Sequence, residues 1–308
     1  MLKKLQSNIL DCIGNTSLLP LRKIRPKNAS QILIKLEAEN PTGSMKDRMA
    51  LAMIEAAEKD GRLKKDGFVV EYTGGSTGVS LALVCAVKGY PLHIVTSDAF
   101  AKEKLAHMKI LGAELEVIPS ENGRMTEKLT KDMIEAARVI AQKEGSFWTD
   151  QLKNTDQLVA YHKMAEEIWT QTEGKIDGFV QSVGTSASLR GTAESLRNYN
   201  KTIKIVAVEP AESPVLSGGK TGSHKIDGIG AGFIVPLWQE NIAHQIKQVS
   251  TQQAIDMTMR LAREEGIFAG TSTGCNVIAA LQLAEELGKN STVVTIMCDS
   301  GIKYLSKL

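Results

Sequence analysis

The sequence predicts an α/β fold of two doubly wound parallel-sheet domains. Short apolar segments alternate with longer amphipathic segments along almost all of the 308 residues. This alternation is typical of parallel strands joined by helices that cover the sheet. Most of the amphipathic segments also stop at a glycine, where helices commonly end. The chain is long enough for two such domains with a substantial core.

The first half of the chain contains strands and helices in strict succession. Its predicted strands are short and apolar, and its predicted helices are rich in Ala, Leu, Met, Glu and Lys. The strands are expected at residues 31–38, 67–72, 91–97 and 113–120, and the helices at residues 49–63, 79–89, 101–112 and 126–145.

The second half repeats this order after an interruption, SFWTDQLKNTD, at residues 146–156. We interpret the interruption as the crossing between two α/β halves. After it, strands are expected at residues 177–184, 203–210 and 291–301, and helices at 187–200, 251–266 and 273–288. Ligands of such sheets bind beyond the carboxyl ends of the strands. The loops that lead into helices are therefore where functional residues are expected.

Composition excludes several classes of partner. The formal net charge is +2, with 37 basic and 35 acidic residues spread along the chain, so no nucleic-acid surface is expected. No apolar run approaches the roughly 20 residues that span a bilayer, and the N-terminal residues lack the apolar core of a signal peptide. The four cysteines are isolated from one another and from histidines, so no metal site is expected. We expect a cytoplasmic protein with buried free thiols.

One lysine lies at an unusual place, in the segment NPTGSMKDRMA of residues 40–50. A run of turn-forming residues leads to Lys46, and helix-forming residues follow it at once. The segment predicts that Lys46 lies where a loop closes onto a helix N-terminus. A charged lysine is costly to bury, and Schiff-base formation removes most of that cost. Lys46 is therefore a candidate for covalent catalysis.

Two strand-to-helix loops are candidate anion sites. EYTGGSTGVS, residues 71–80, offers backbone N–H groups at a helix N-terminus, which suits a carboxylate or a phosphate as well as an ordinary capped turn. QSVGTSASLRG, residues 181–191, has the composition of a phosphate cradle without the lysine of a nucleotide-triphosphate loop. A polar turn, 299–301, follows the last strand. Together with Lys46, these loops suit a small anionic cofactor with an aldehyde, such as pyridoxal 5′-phosphate (PLP).

These motifs resemble those of one known family, the fold-type II PLP enzymes, and within it the cysteine synthase (O-acetylserine sulfhydrylase) and cystathionine β-synthase group. NPTGSMKDRMA is similar to the lysine motif, EYTGGSTGVSLA to the substrate loop, VGTSASLRG to the phosphate loop and MCDSGIKYLS to the ring-nitrogen motif. The similarity covers essentially the whole chain in the same order. It implies a tryptophan synthase β-like fold with PLP in the cleft between two domains. The smaller domain, 46–148, is expected to move on closure, and the larger comprises 1–45 and 149–308.

The resemblance also implies a role for each motif. Lys46 is the expected catalytic residue, which forms the internal aldimine and later moves the α-proton. Ser300 is expected to meet the pyridine nitrogen. The other expected cofactor-binding residues are Ser76, Gly184, Thr185, Ser186, Ala187 and Ser188. The expected substrate-binding residues are Thr73, Gly74, Ser76, Thr77, Gln151 and Gly228.

Two loops depart from the family pattern. The usual substrate loop is Thr-Ser-Gly-Asn-Thr-Gly, whereas this chain has Thr-Gly-Gly-Ser-Thr-Gly at residues 73–78. Ser76 thus replaces the asparagine that meets the phenolic oxygen of the cofactor, and its shorter side chain weakens that contact or leaves it to a water. The usual phosphate loop is Gly-Thr-Gly-Gly-Thr, and here Ser186 and Ala187 carry side chains that limit the backbone. The donor and nucleophile stay open.

The implied activity is β-replacement on an amino acid with a β-leaving group, such as O-acetylserine, by sulfide or a thiol. An aminoacrylate intermediate would lead to cysteine or a β-substituted alanine, and a neutral serine at the ring nitrogen favours that elimination. One alternative is a cystathionine β-synthase-like enzyme or a β-eliminating lyase or dehydratase. Another is a non-catalytic PLP-fold binding module. The resemblance implies a homodimer, and the sequence does not decide whether a peptide partner binds at the active site.

Overall fold

The computed structural model describes residues 5–25, 30–123 and 126–306. The chain divides into two compact units. The first comprises Met1–Asn15, Asn40–Gln157 and Lys303–Leu308, and the second comprises Thr16–Glu39 and Leu158–Ile302. The first unit thus contains the whole of the predicted smaller domain, 46–148, together with shorter segments from elsewhere in the chain. The movement of that domain stays a prediction.

Each predicted segment contains an element of the predicted type, and a helix at residues 157–171 and strands at residues 18–20 and 245–249 lie outside the predicted segments. The strands are β1 (Leu18–Pro20), β2 (Gln31–Leu36), β3 (Phe68–Tyr72), β4 (Leu92–Ser97), β5 (Glu114–Ile118), β6 (Ser146–Trp148), β7 (Gly178–Ser182), β8 (Lys204–Pro210), β9 (Gln245–Val249) and β10 (Thr292–Met297). The helices are α1 (Lys46–Asp60), α2 (Ser76–Lys88), α3 (Lys102–Ile110), α4 (Glu127–Ile140), α5 (Gln157–Gln171), α6 (Ala187–Tyr199), α7 (Thr251–Arg260) and α8 (Thr271–Leu287). Among the described residues, no helix has both the length and the apolarity needed to cross a membrane.

The sheet of the first unit is wholly parallel. Its strands lie in the order β5-β4-β3-β6. The edge strand β6 begins the segment that the sequence predicts to be an interruption, so the first three residues of that segment are a strand and not a loop. Their aromatic composition favours the pairing, with Phe147 buried. One cluster of the core packs α4 onto the sheet through Val70, Val95, Leu129, Met133 and Ala137.

The sheet of the second unit has the order β1-β2-β10-β7-β8-β9. All neighbours are parallel except β1, which runs antiparallel to β2 at the edge. The strands β7 and β10 lie side by side in the middle and are buried on both faces, which explains their continuous apolar sequences. The core of this unit packs α7 and α8 onto the sheet. The carboxyl ends of β7 and β10 therefore open at one edge of one sheet.

The cysteines follow the expectation with one exception. Cys85, Cys275 and Cys298 are buried free thiols. Cys12 is exposed, so the expectation of burial is wrong for this residue. It ends a single-turn 3-10 helix, Ile9–Cys12, of which only Leu10 is buried.

Candidate active site

Lys46 is the first residue of α1, as the sequence predicts. Its backbone N–H donates to the hydroxyl of Ser44 at 3.2 Å, in the turn that leads into the helix. The side chain is partly buried. The partial positive charge of a helix N-terminus disfavours a second positive charge.

The residue after Lys46 ties its turn to the helix of the substrate loop. The buried carboxylate of Asp47 accepts hydrogen bonds from the N–H of Thr42 at 2.7 Å and from the hydroxyls of Thr42 and Ser80, both at 2.5 Å. Burial raises the pKa of Asp47, and these hydrogen bonds oppose the rise. Because Ser80 lies on α2, the carboxylate holds the start of α1 against α2.

The substrate loop joins β3 to α2. The hydroxyl of Thr73 accepts the N–H of Gly75 at 3.1 Å, which closes a tight turn. Gly75 is the N-cap of α2 and has no side chain with which to cap it. The start of α2 is therefore not capped by the residue before it, and this helix end favours a negatively charged group. Ser76, the first residue of α2, is buried at this helix end.

Two of the expected substrate-binding residues meet beside this loop. The hydroxyl of Thr77 donates to the side-chain oxygen of Gln151 at 2.8 Å. The amide nitrogen of Gln151 donates to the carbonyl of Tyr72 at 3.0 Å. Both side chains are buried. The segment after β6 is thus held against the start of α2, within the first unit.

Beneath the substrate loop lies a buried carboxylate that the sequence interpretation missed. Glu71 accepts hydrogen bonds from the hydroxyl of Thr149 at 2.6 Å and from the N–H groups of Gln151 and Tyr72, both at 2.9 Å. Its burial raises its pKa to about 7, although the three hydrogen bonds oppose the rise. A glutamate inside an apolar strand, FVVEY, was the available signal.

The phosphate loop joins β7 to α6 in the second unit. Ser186 is the N-cap of α6 and has a φ of +74°, which non-glycine residues rarely adopt. Its hydroxyl is buried and has no hydrogen-bond partner among the described residues. Thr185 accepts the N–H of Ala187 at 3.4 Å, and Ser188 accepts the side-chain amide of Gln181 at 2.5 Å.

Gly184 and Gly228 lie against each other beside this loop. A Cβ atom on Gly184 would lie 2.4 Å from the carbonyl oxygen of Gly228, so a side chain does not fit there. The N–H of Gly230 donates to the carbonyl of Val183 at 3.0 Å and holds the two segments together. The segment that the sequence assigns to the substrate side is thus packed on the phosphate loop.

Ser300 lies at the same sheet edge as the phosphate loop. It pairs with Ala269 in an isolated antiparallel bridge, and its hydroxyl accepts the N–H of Ile302 at 3.3 Å. The preceding strand β10 pairs in parallel with β7. Since the carboxyl ends of neighbouring parallel strands meet at one edge, the ring-nitrogen motif and the phosphate loop share that edge.

A buried asparagine, also missed from the sequence, joins these two strand ends. The side-chain oxygen of Asn276 accepts the N–H of Ser182 at 2.7 Å, at the end of β7. Its side-chain nitrogen donates to the carbonyl of Ile296 at 2.9 Å and to the sulfur of Cys298 at 3.3 Å. Asn276 therefore spaces the phosphate loop and the segment that leads to Ser300.

The predicted site residues fall into two groups. Lys46, residues 73–77 and Gln151 belong to the first unit, and residues 184–188, Gly228 and Ser300 belong to the second. The second group fits the phosphate of PLP. Its loop offers the buried hydroxyl of Ser186, which has no partner in the described part of the chain, and the N-terminus of the 13-residue helix α6. It also contains Gly184, where the backbone of another segment lies too close for a side chain. Lys46 supplies an amine suited to an aldehyde.

Comparison with known proteins identifies the family. The pattern of the family described as pyridoxal-phosphate dependent enzymes matches residues 9–299. The chain belongs to this family. The membership and the PLP cofactor predicted from the motifs are confirmed.

Members of the family with known names or structures match over nearly the full chain. The cysteine synthase of Staphylococcus aureus strain N315 is 41% identical in an alignment that covers 99% of this chain and 97% of the relative. The crystal structure of a cysteine synthase from Entamoeba histolytica has a TM-score of 0.93 at 37% identity, covering 99% of this chain and 90% of that one. A hydrogen sulfide-producing enzyme from Fusobacterium nucleatum has a TM-score of 0.91 at 37% identity, covering 98% and 99%. The predicted fold-type II architecture is confirmed.

Proposed function

We propose that the protein is a PLP-dependent β-replacement enzyme of the cysteine synthase type. It would take an amino acid with a β-leaving group, such as O-acetylserine, and exchange that group for sulfide to give cysteine. The observation that carries the proposal is the near full-length similarity to proteins named cysteine synthase. The presence of Lys46 and Ser300 in their motifs supports an active enzyme over a binding module.

Each group of the chain has a part in this function. PLP, when bound, supplies an electron sink for the carbanion that forms at the α-carbon. The amine of Lys46 would hold the cofactor covalently and would accept the α-proton of the substrate. The start of α6, with Thr185 and the hydroxyls of Ser186 and Ser188, would bind the phosphate, and the hydroxyl of Ser300 would face the pyridine nitrogen.

The substrate loop would bind the α-carboxylate of the amino acid. The N–H groups at the start of α2 favour an anion, and the hydroxyl of Thr77 is oriented by Gln151 at 2.8 Å. Ser76 stands where the family usually has asparagine, so we propose a shorter and weaker contact to the cofactor at this position. Gly228, packed on Gly184, would line the substrate side of the phosphate loop.

A second candidate is release of hydrogen sulfide from cysteine. The similarity to a hydrogen sulfide-producing enzyme, at the same 37% identity as the Entamoeba cysteine synthase, favours it. Both activities begin with the loss of the α-proton and of a β-group. In the first, acetate leaves and sulfide adds to the β-carbon; in the second, sulfide leaves and water or another nucleophile reacts with the remaining fragment. A comparison of O-acetylserine with cysteine as the donor separates them.

We further propose a cytoplasmic homodimer. The three buried free thiols suit a reducing compartment. Light scattering of the purified holoprotein tests the assembly, and a monomeric mass would overturn it.

Reduction with borohydride followed by peptide mapping tests the site. PLP should be found on Lys46. Lys35 is the internal control, because it is fully buried but paired with Glu167 at 2.7 Å and with the carbonyl of Thr16 at 2.7 Å. Label on another lysine would exclude the proposed role of Lys46.

Turnover tests the reaction. O-acetylserine should change the visible absorbance of the wild-type holoprotein, and addition of sulfide should restore it with formation of cysteine. Lys46→Ala should lack both responses. A wild-type protein whose spectrum responds to no β-substituted amino acid would support the binding module instead.

A further inference from the structure

The ring of Phe100 lies against the backbone of Gly74 in the substrate loop. A Cβ atom on Gly74 would lie 1.7 Å from Cδ2, 1.9 Å from Cγ and 2.3 Å from Cε2 of Phe100. These distances are far below any real contact of a Cβ atom. The ring therefore occupies the volume in which a side chain at position 74 would begin. Serine, the usual residue of the family at this position, does not fit beneath it.

Phe100 is held by a backbone hydrogen bond and by the packing of its side chain on the core. It lies in the short segment between β4 and α3, and its N–H donates to the carbonyl of Ser97 at 3.3 Å. Its side chain packs on the core cluster of the first unit, which includes Tyr72 and Val95. The atom Cγ, at the base of the ring, is itself among the overlapping atoms. A flexible side-chain end is thus not what fills the space.

The contact is specific to one of the two adjacent glycines. A Cβ atom on Gly75 would meet a single neighbour, the hydroxyl of Thr73 at 3.9 Å, which is ordinary van der Waals contact. Gly75 has a φ of −108°, which any residue adopts. The ring of Phe100 blocks the space for a side chain at Gly74 and not at Gly75, although both glycines belong to the same turn.

We propose that Phe100 is a positioning residue for the amino-acid substrate and that it acts through Gly74. Two consecutive glycines leave a loop with many backbone conformations, and ordering such a loop on binding weakens affinity. The ring restricts the loop on one face before the substrate binds. The N–H groups at the start of α2 are then held in place to receive the α-carboxylate. This inference rests on the proposed function, in which the loop binds that carboxylate.

Steady-state kinetics of the holoenzyme with O-acetylserine test the proposal. Phe100→Ala should raise KM about 5- to 10-fold and leave kcat within about 2-fold, because the loop contributes to binding and not to the proton transfer. The visible absorbance of the bound cofactor should not change. A role in stability alone would lower the melting temperature without this separation of KM from kcat.

A double-mutant cycle tests the contact itself. Gly74→Ala should raise KM about 10-fold or more in the wild-type background but less than about 2-fold in the Phe100→Ala background, since the two sites share one volume. Gly75→Ala is the matched control, and its effect should be the same in both backgrounds. An equal effect of Gly74→Ala in both backgrounds, or an unchanged KM for Phe100→Ala, would overturn the proposal.

Hydrogen exchange of the loop amides separates this proposal from the proposed function. The measurement needs no turnover, and Phe100→Ala should increase the exchange rate of the amides of residues 73–77 about 10-fold as the loop opens more often. If the wild-type enzyme fails to use O-acetylserine but the exchange rate rises in Phe100→Ala, the proposed function fails and the restriction of the loop by Phe100 is supported. If turnover occurs and the exchange rate does not change, the inference fails. Phe100→Leu supplies a milder variant should the alanine variant not fold.

Discussion

The carboxylate of Glu71 accepts a hydrogen bond of 2.9 Å from the backbone N–H of Gln151, eighty positions further along the chain. The same carboxylate accepts the hydroxyl of Thr149, so it holds the whole turn after β6. Asp150, between them, has a φ of +42°, and this unusual backbone directs the next N–H toward Glu71. The hydrogen bonds that Glu71 accepts thus determine where the side chain of Gln151 meets the substrate loop.

The stability of the protein should depend on the pH through Glu71. Its pKa is about 7 in the folded chain and near 4.5 when unfolded, so the folded state binds the extra proton between these values. The contribution of Glu71 to the unfolding free energy is fully present below the unfolded pKa and is lost as the pH rises through about 7. The shift corresponds to a contribution on the order of 3 kcal/mol. Denaturant unfolding of wild type and Glu71→Gln across this range measures it.

A comparison of two variants distinguishes the effect of Glu71 on stability from that of other carboxylates. The difference in unfolding free energy, wild type minus Glu71→Gln, should shrink as the pH rises. Glu116→Gln, at an exposed position of β5, controls for the general loss of a carboxylate. A difference for Glu71→Gln that does not vary with pH would show that the carboxylate is ionised throughout.

The features that the sequence predicts are those that depend on neighbouring residues. Glycines and hydroxyl residues after an apolar strand predict both anion loops, and a turn before helix formers predicts the position of Lys46. Each of these signals lies within about ten residues, the range over which local propensity acts. The very short β1 and β6 carry too few residues for a periodic pattern, so the sequence does not reveal them.

The features that the sequence does not reveal are contacts between distant segments. Phe100 reaches Gly74 from the next strand-to-helix loop, and Asn276 reaches Ser182 from a helix 94 residues away. Neither side chain is unusual in its local sequence. Their positions depend on which strands are neighbours in the sheet, and local sequence patterns do not reveal that order. The residues that support the site are for this reason harder to predict than the residues that form it.

Asn276 should stabilise the edge at which β7 and β10 end in the sheet of the second unit. Asn276→Ala removes the partners of a buried N–H on Ser182 and a buried carbonyl on Ile296. Each unsatisfied group costs about 1–3 kcal/mol, so a loss of about 2–6 kcal/mol in unfolding free energy is expected. Affinity for PLP should fall as well, because the phosphate loop begins at Ser182. Calorimetry and cofactor titration measure the two effects.

The control for this substitution is a solvent-accessible asparagine. Asn200 accepts hydrogen bonds from the N–H and hydroxyl of Thr202 at an exposed turn. Asn200→Ala should cost less than about 1 kcal/mol, since water replaces the lost partner, and should not alter PLP affinity. Equal effects of the two substitutions would argue against a special role for Asn276.

Ser186 should lower the stability of the apoprotein through its strained backbone and raise the affinity for the cofactor through its hydroxyl. Its φ of +74° is unfavourable for a residue with a Cβ atom, and its buried hydroxyl is placed at the start of α6. Ser186→Ala and Ser186→Gly both remove the hydroxyl, so both should weaken PLP binding about 10-fold. Only the glycine variant relieves the backbone, and its apoprotein should be more stable than the alanine variant by about 1 kcal/mol. Titration with PLP measures the affinity, and unfolding of the apoprotein measures the relief of strain. If Ser186→Ala binds PLP as tightly as the wild type, the hydroxyl does not contact the phosphate.

Asp47 and Ser80 should be energetically coupled, because one carboxylate joins the start of α1 to α2. Asp47→Ala leaves the buried N–H of Thr42 and the hydroxyl of Ser80 without their acceptor, and we expect a loss of about 2–4 kcal/mol. Once Asp47 is alanine, Ser80→Ala should cost little, which gives a coupling energy of about 1–2 kcal/mol.

Thr258→Ala serves as the control partner. Its hydroxyl donates to the carbonyl of Ala254 and shares no partner with Asp47, so its effect should add to that of Asp47→Ala. Denaturant unfolding of the two cycles decides the matter, since additivity of Asp47→Ala with Ser80→Ala would mean that the link between the helices carries no energy.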